Sequence, residues 1–254
     1  MNYRLTIQYD GTDFAGWQVQ GRGERTVQGE LQRALALIEG REVAVHGAGR
    51  TDAGVHAAGQ AASVRLEREF TPEKLRAAIN GNVGRDLRII EARPAPENFH
   101  ARFSARGKTY RYRVFNEPFA SPLLMRFAHH EARSLDIERM LECASLFPGA
   151  HDWSAFSAAQ SDVESRVRHL TRLEVTEHRS ESGRGRVIEI TASAEGFLRY
   201  MVRSIAGALL AAGRGELDQS AIARAIESGE RPQAITTAPA HGLTLLRVHY
   251  DSEE

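Results

Sequence analysis

The chain has 254 residues, 42% of them hydrophobic and 26% charged, a balance that excludes a disordered chain. Thirty-three Lys and Arg face 33 Asp and Glu, so bulk charge announces no nucleic-acid partner and any basic surface must come from sorting charges onto one face. Cys143 is the single cysteine, which excludes an intrachain disulfide and a multi-cysteine zinc site.

The segment YRLTIQYD alternates Leu5, Ile7 and Tyr9 with polar neighbours and predicts a half-buried strand. TVQGELQRALALIEG sets Val27, Leu31, Leu35 and Ile38 at helical spacing, with Thr26 as N-cap and Gly40 as the stop. EVAVHGAG reads as a short strand running into a glycine-rich turn, and QAASVRLE as another strand. TPEKLRAAIN opens as helices do, with Thr-Pro-Glu, and LRIIEARPA returns to strand. KTYRYRVFN then places Tyr110, Tyr112 and Val114 on one strand face. DIERMLECASLF follows as a helix, with Cys143 a small buried residue inside it.

VRHLTRLEVTEHR and RGRVIEITASA are strands joined by SESGRG, a hairpin loop. LRYMVRSIAGALLAAGRG is the most apolar helix, DQSAIARAIESG a shorter one, and GLTLLRVHY a closing strand. Neighbouring strands close enough to pair antiparallel favour an α+β fold. The N-terminus begins on a strand pattern without an apolar signal core, and no run approaches the roughly 18 apolar residues of a membrane span. A soluble, cytoplasmic chain is the expectation.

Several familiar motifs are missing: G-x-x-x-x-G-K-[ST] for nucleotide phosphates, H-E-x-x-H for zinc and the G-x-S-x-G nucleophile elbow. His129 and His130 are adjacent, so in a strand they point to opposite faces and make a poor pair of metal ligands. Three other stretches carry more chemistry. The first is GAGRTDAGVHAAG, Gly47 to Gly59, which holds one carboxylate, Asp52, on a permissive backbone with Arg50 two residues before it. Without a lysine it is no phosphate loop. A carboxylate there serves as nucleophile or general base, kept ionised by a fixed arginine, or it caps its own turn.

The second stretch, FHARFSARGKTYRYRVF, carries Arg102, Arg106, Lys108, Arg111 and Arg113 with no acidic residue from Phe99 to Phe115. Phe99, Phe103, Tyr110, Tyr112 and Phe115 are interleaved. Such a segment suits a polyanion, because cations neutralise phosphate while exposed rings stack on unpaired bases. A core-facing aromatic stripe beneath a solvated arginine face is the alternative. The third stretch, EGFLRYMVRSIAG, sets Arg203 deep in an apolar helix. A charge buried there needs a carboxylate partner, unless the side chain reaches water from the helix edge.

Together with YDGTDFAGWQ near the start and HDWSAFSA and APAHGLTL further on, these stretches closely resemble the tRNA pseudouridine synthase A family, in the family's order and over nearly the full length. The resemblance implies a two-lobed α+β fold with a central mixed, largely antiparallel sheet and helices packed on it. Residues 1–104 would form an N-terminal lobe carrying the catalytic Asp loop, and 105–254 a C-terminal lobe carrying the Tyr platform and the Arg partner. It implies a homodimer, without metal or organic cofactor, that isomerises uridine to pseudouridine at positions 38, 39 and 40 of the tRNA anticodon arm.

By the same resemblance Asp52 is the catalytic aspartate, Arg50 helps to extrude the target base, and Arg203 holds Asp52 in an ion pair. Tyr110 is the ring that stacks on the flipped uracil, and Leu243 a small apolar contact to it. Arg106 and Arg111 are expected to bind the anticodon stem-loop; no membrane and no small-molecule cofactor are expected. A catalytically silent RNA-binding protein and a small-molecule hydrolase built on Asp52 are the competing readings. An intact set of Asp52, Tyr110 and Arg203 favours the enzyme over the silent binder.

Overall fold

A computed structural model describes residues 1–21, 23–159, 164–180, 183 and 185–251. In chain order these hold β1 (Asn2–Tyr9), α1 (Val27–Glu39), β2 (Val45–Gly47), β3 (His56–Arg65), α2 (Pro72–Gly81), β4 (Leu87–Ala95) and β5 (Gly107–Asn116). There follow β6 (His129–Glu131), α3 (Ile137–Ala144), β7 (Gly149–Asp152), β8 (Val167–Arg179), β9 (Arg186–Ala194), α4 (Met201–Gly213), α5 (Gln219–Ser228) and β10 (Leu243–His249). The fold is α+β, with mixed and mostly antiparallel strand pairing. The chain forms two compact units, Met1–Arg106 with Thr244–Glu254, and Gly107–Leu243.

In the first unit the strand order is β4-β1-β3-β10, with β2 also on β3. β1 runs antiparallel to β3 and β4, whereas β10 joins β3 in parallel, Thr244 opposite His56. The expected second lobe runs from 105 to 254; in the structure β10 from Thr244 onward lies with the first unit, where Thr244 and Leu245 pair with β3. The alternation read in β1 is physical: Tyr3, Leu5 and Ile7 are fully buried. Helix α1 buries Val27, Leu31 and Leu35, and its ends are those expected. Thr26 accepts from the Gly29 N–H, and Gly40 ends the helix in the left-handed conformation.

In the second unit the order is β5-β9-β8-β7, with β6 parallel to β5. Tyr112, Val114, Ile188, Ile190, Phe147 and Phe156 are buried, and the Phe147 and Trp153 rings lie near parallel. Cys143 is buried in α3. The short strands β6 and β7 were not expected; at three and four residues they leave no periodicity to read. In SESGRG, the Ser180 N–H donates to the Gly185 carbonyl at 3.2 Å; Glu181, Ser182 and Arg184 lie outside the described residues. Among the described residues no helix is long and apolar enough to cross a membrane.

One boundary differs with consequence. The apolar run predicts a helix from Leu198, with Arg203 deep inside; α4 begins instead at Met201, so Arg203 stands in its first turn. The cause is Tyr200, whose left-handed backbone (φ 67°) cannot continue a right-handed helix. Every other residue of α4 is buried, and Arg203 is half-buried.

Candidate active site

Asp52 lies in the turn that leaves β2 and enters β3. The turn is closed by the Val55 N–H, which donates to the Asp52 carbonyl at 3.1 Å. It is clasped by the YDGTDFAGWQ segment. The Trp17 N–H donates to the Thr51 carbonyl at 3.0 Å and the Gly54 N–H to the Phe14 carbonyl at 3.4 Å. The Tyr9 and Thr51 hydroxyls are 2.8 Å apart, and Gln60 Nε2 donates to the Gly49 carbonyl at 3.0 Å. Gly16 is required here twice over, since its φ is +100° and a Cβ would stand 2.7 Å from the Thr51 carbonyl oxygen. The opening motif is therefore a mount for the Asp52 loop. Asp52 is half-buried on it and Arg50 is exposed.

A second clasp lies within Gly107–Leu243. The Arg203 Nε–H donates to the Ala238 carbonyl at 2.7 Å, and the Ala238 N–H returns a bond to the Arg203 carbonyl at 3.0 Å. Gly207, one turn on, lets this segment approach, because a Cβ there would collide with the Thr236 carbonyl at 1.8 Å. The motifs around Arg203 and around APAHGLTL thus interlock. The charge of Arg203 reaches Tyr112 and His241. It opposes the burial that pushes the Tyr112 phenol upward, and it adds to the burial that lowers the His241 imidazole. Leu243 is buried at the end of the same segment.

The aromatic run divides by environment. Tyr112 is fully buried and its hydroxyl donates to the Pro239 carbonyl at 3.0 Å, which makes it a core residue. Tyr110, two positions before it, is 7% exposed and meets Phe197 edge-on at 5.1 Å. Phe115 is buried, whereas Phe103 is 76% exposed against His100. The cations divide too, and the acids that meet them come from other parts of the sequence.

Arg111 and Arg113 both reach Glu189 on β9, at 3.4 and 2.8 Å. Burial and then the neighbouring Arg113 disfavour the Arg111 cation, with Glu189 in its favour. Arg106 pairs with Asp251 at 2.7 Å, both side chains about two-thirds exposed (68% and 66%). Such a surface pair adds little stability and yields readily to a stronger anion. Among the described residues no group of three or more His, Cys, Asp or Glu is placed to hold a metal.

Two features of the Gly107–Leu243 unit carry no local signature in the strand and helix patterns. Glu189 is a cross-strand partner of Arg113, a pairing that only the β5–β9 register reveals. Tyr200 precedes Arg203 in a conformation unusual for its type. The signal for it lies outside those patterns: no Ser, Thr, Asp or Asn stands where α4 needs a cap.

A family model described as tRNA pseudouridine synthase matches residues 5–104 and 143–251. The chain belongs to the tRNA pseudouridine synthase family. It is 41% identical over 247 residues to a tRNA pseudouridine synthase A of Ruminiclostridium cellulolyticum, covering 97% of this chain and 98% of the relative. It is 40% identical over 254 residues to one of Allorhizobium ampelinum, covering 99% and 95%. A tRNA pseudouridine synthase A 2 of Bacillus cereus is 38% identical over 249 residues, covering 98% and 99%. As a tRNA pseudouridine synthase the chain is an isomerase that converts uridine in tRNA to pseudouridine. The reaction breaks the bond from N1 to the ribose, turns the uracil and rejoins it through C5. It involves neither redox change nor phosphoryl transfer.

Proposed function

We propose that this isomerase acts on uridines 38, 39 and 40 in the anticodon arm of tRNA, with Asp52 as the catalytic carboxylate and Arg203 as its counter-charge. The residues 1–104 carry the Asp loop and 105–254 the Tyr platform and the Arg partner. The observation that carries the reading is the pair of clasps. A carboxylate and a cation are each mounted on a segment fixed by backbone hydrogen bonds and close glycine contacts. Side chains held by their scaffold meet the first demand on a catalytic group, a fixed orientation.

An ionised Asp52 attacks the ribose or assists removal of a proton from it, and a neighbouring guanidinium keeps the carboxylate charged. The target base lies stacked in the anticodon arm and must be flipped out first. Arg50, exposed on the Asp52 loop, assists that extrusion. Tyr110 stacks on the released uracil to offset the stacking it lost, and Leu243 supplies an apolar contact. Arg106 and Arg111 neutralise phosphates of the stem-loop. The enzyme works as a homodimer in the cytoplasm, where its substrate is processed, without metal or organic cofactor.

Incubation with unmodified tRNA bearing labelled uridine, followed by pseudouridine mapping, tests this. Product at 38, 39 and 40 supports it, and product confined to another arm contradicts the position. Binding without product marks a silent RNA-binding protein. Hydrolysis of small esters without RNA would mark a hydrolase.

A further inference from the structure

We propose that Tyr200 is the positioning residue that fixes Arg203 for the reaction, an inference that rests on Arg203 being the counter-charge of Asp52. Among the described residues, four of the five α-helices begin alike. Thr26, Thr71, Asp136 and Asp218 are N-caps with extended backbone, and each side chain accepts a bond from an N–H of the first turn. This is the arrangement that stabilises a helix start. Helix α4 departs from it in two ways. Its N-cap is Tyr200, which makes no side-chain cap bond, and its backbone is left-handed, with φ 67° and ψ 0°.

Among the described residues Tyr200 is the one non-glycine with positive φ. A bulky L-residue adopts that conformation at a cost, and such costs gather where a side chain must be aimed.

The ring shows what is aimed. The Arg203 guanidinium carbon lies 5.0 Å from the Tyr200 ring centroid, within the range of a cation–π contact. Arg199 steadies the ring: its guanidinium carbon is 4.7 Å from the centroid, and its Nη2 donates to the Tyr200 hydroxyl at 2.9 Å. Arg203 thus meets the Ala238 carbonyl at Nε and an aromatic surface against the guanidinium. Arginine is long and rich in rotamers, and the ring adds an aromatic face to the contacts that hold the guanidinium before substrate arrives.

The test uses Tyr200→Gly and Tyr200→Phe in the full chain. Glycine adopts the left-handed backbone without strain and removes the ring. Tyr200→Gly should therefore melt at the same or a higher temperature and bind tRNA within about twofold of wild type, while its single-turnover rate at saturating tRNA falls about tenfold. Tyr200→Phe keeps the ring and loses only the bond from Arg199, and should stay within about threefold of the wild-type rate. A wild-type rate in Tyr200→Gly overturns the proposal. So does an equal loss in Tyr200→Phe, a rate loss that follows a fall in melting temperature, or a loss of affinity alone.

Asp52→Asn and Arg203→Ala, measured alongside, separate the two claims. A wild-type rate in either defeats the underlying reading. Inactive controls beside a fully active Tyr200→Gly defeat the role of Tyr200 alone.

Discussion

The hydroxyls of Tyr9 and Thr51 share a hydrogen bond of 2.8 Å, so the last residue of β1 is tied to the residue directly before Asp52. Both side chains are buried. Tyr9→Phe removes this partner from the Thr51 hydroxyl, a loss of about 1–2 kcal/mol of folding stability. It also loosens the loop that presents the carboxylate. Urea denaturation should show a lower midpoint with an unchanged slope, and single-turnover isomerisation a slower rate. An unchanged midpoint would mean that the bond contributes nothing to holding the loop.

The same phenol gives the chain an alkaline limit. Burial pushes Tyr9 up to about 12, against the hydrogen bonds from Thr51 and Gln60 that lower it. Burial raises Tyr112 as well, opposed by the charge of Arg203. In the unfolded chain both ionise near about 10. The folded state therefore holds its protons to higher pH than the unfolded state. Stability from this source is fully present below about pH 10 and is lost as pH rises through about 12. The urea midpoint should fall across that window, and fall less in Tyr9→Phe. A wild-type midpoint that is flat to about pH 11.5 contradicts the assignment.

The proposal that Arg106 and Arg111 hold tRNA is open to a direct test. Each already has a carboxylate partner, Asp251 and Glu189, so phosphate must displace or share an existing ion pair. Replacing both with alanine should weaken tRNA binding and reduce the salt slope by about 0.7–0.9 for each phosphate no longer neutralised. Glu189 keeps Arg113 as partner in the variant, so the fold should survive. An unchanged salt slope in the double variant removes these residues from the RNA surface.

The sequence and the structure agree where local signals are strong. The expected strand VRHLTRLEVTEHR is β8 from end to end, and the caps at Thr26 and Thr71 stand where a side-chain oxygen precedes an apolar period. Legibility ends where partners are distant in the chain. The parallel pairing of β10 with β3 joins His56 to Thr244, and no local pattern encodes it. The absence of acids between Phe99 and Phe115 suggests a uniformly basic surface, yet Glu189 reaches Arg111 and Arg113 from the neighbouring strand. Tyr110 and Tyr112 share one strand face in the alternation. Both are buried, and only the structure gives them different partners, the Pro239 carbonyl for Tyr112 and the Phe197 ring for Tyr110.

That difference sharpens the expectation for Tyr110. Tyr110→Phe retains an aromatic face and should keep RNA binding and most of the turnover. Tyr110→Leu should lose far more, since stacking on one base is worth about 1–3 kcal/mol. Rates of both variants at saturating tRNA decide the matter. Equal activity would make Tyr110 a core residue, like its neighbour Tyr112.

The central proposal is that Asp52 is the catalytic carboxylate, and the most direct measurement is single-turnover pseudouridine formation by Asp52→Asn with saturating, unmodified tRNA. The amide keeps the shape of the side chain and loses its charge, so the loop held by Thr51, Gly54 and Val55 should stay folded. The predicted result is no pseudouridine above background, with tRNA affinity within about threefold of wild type, a difference under about 1 kcal/mol. A rate near that of the wild-type enzyme would contradict the catalytic role of Asp52.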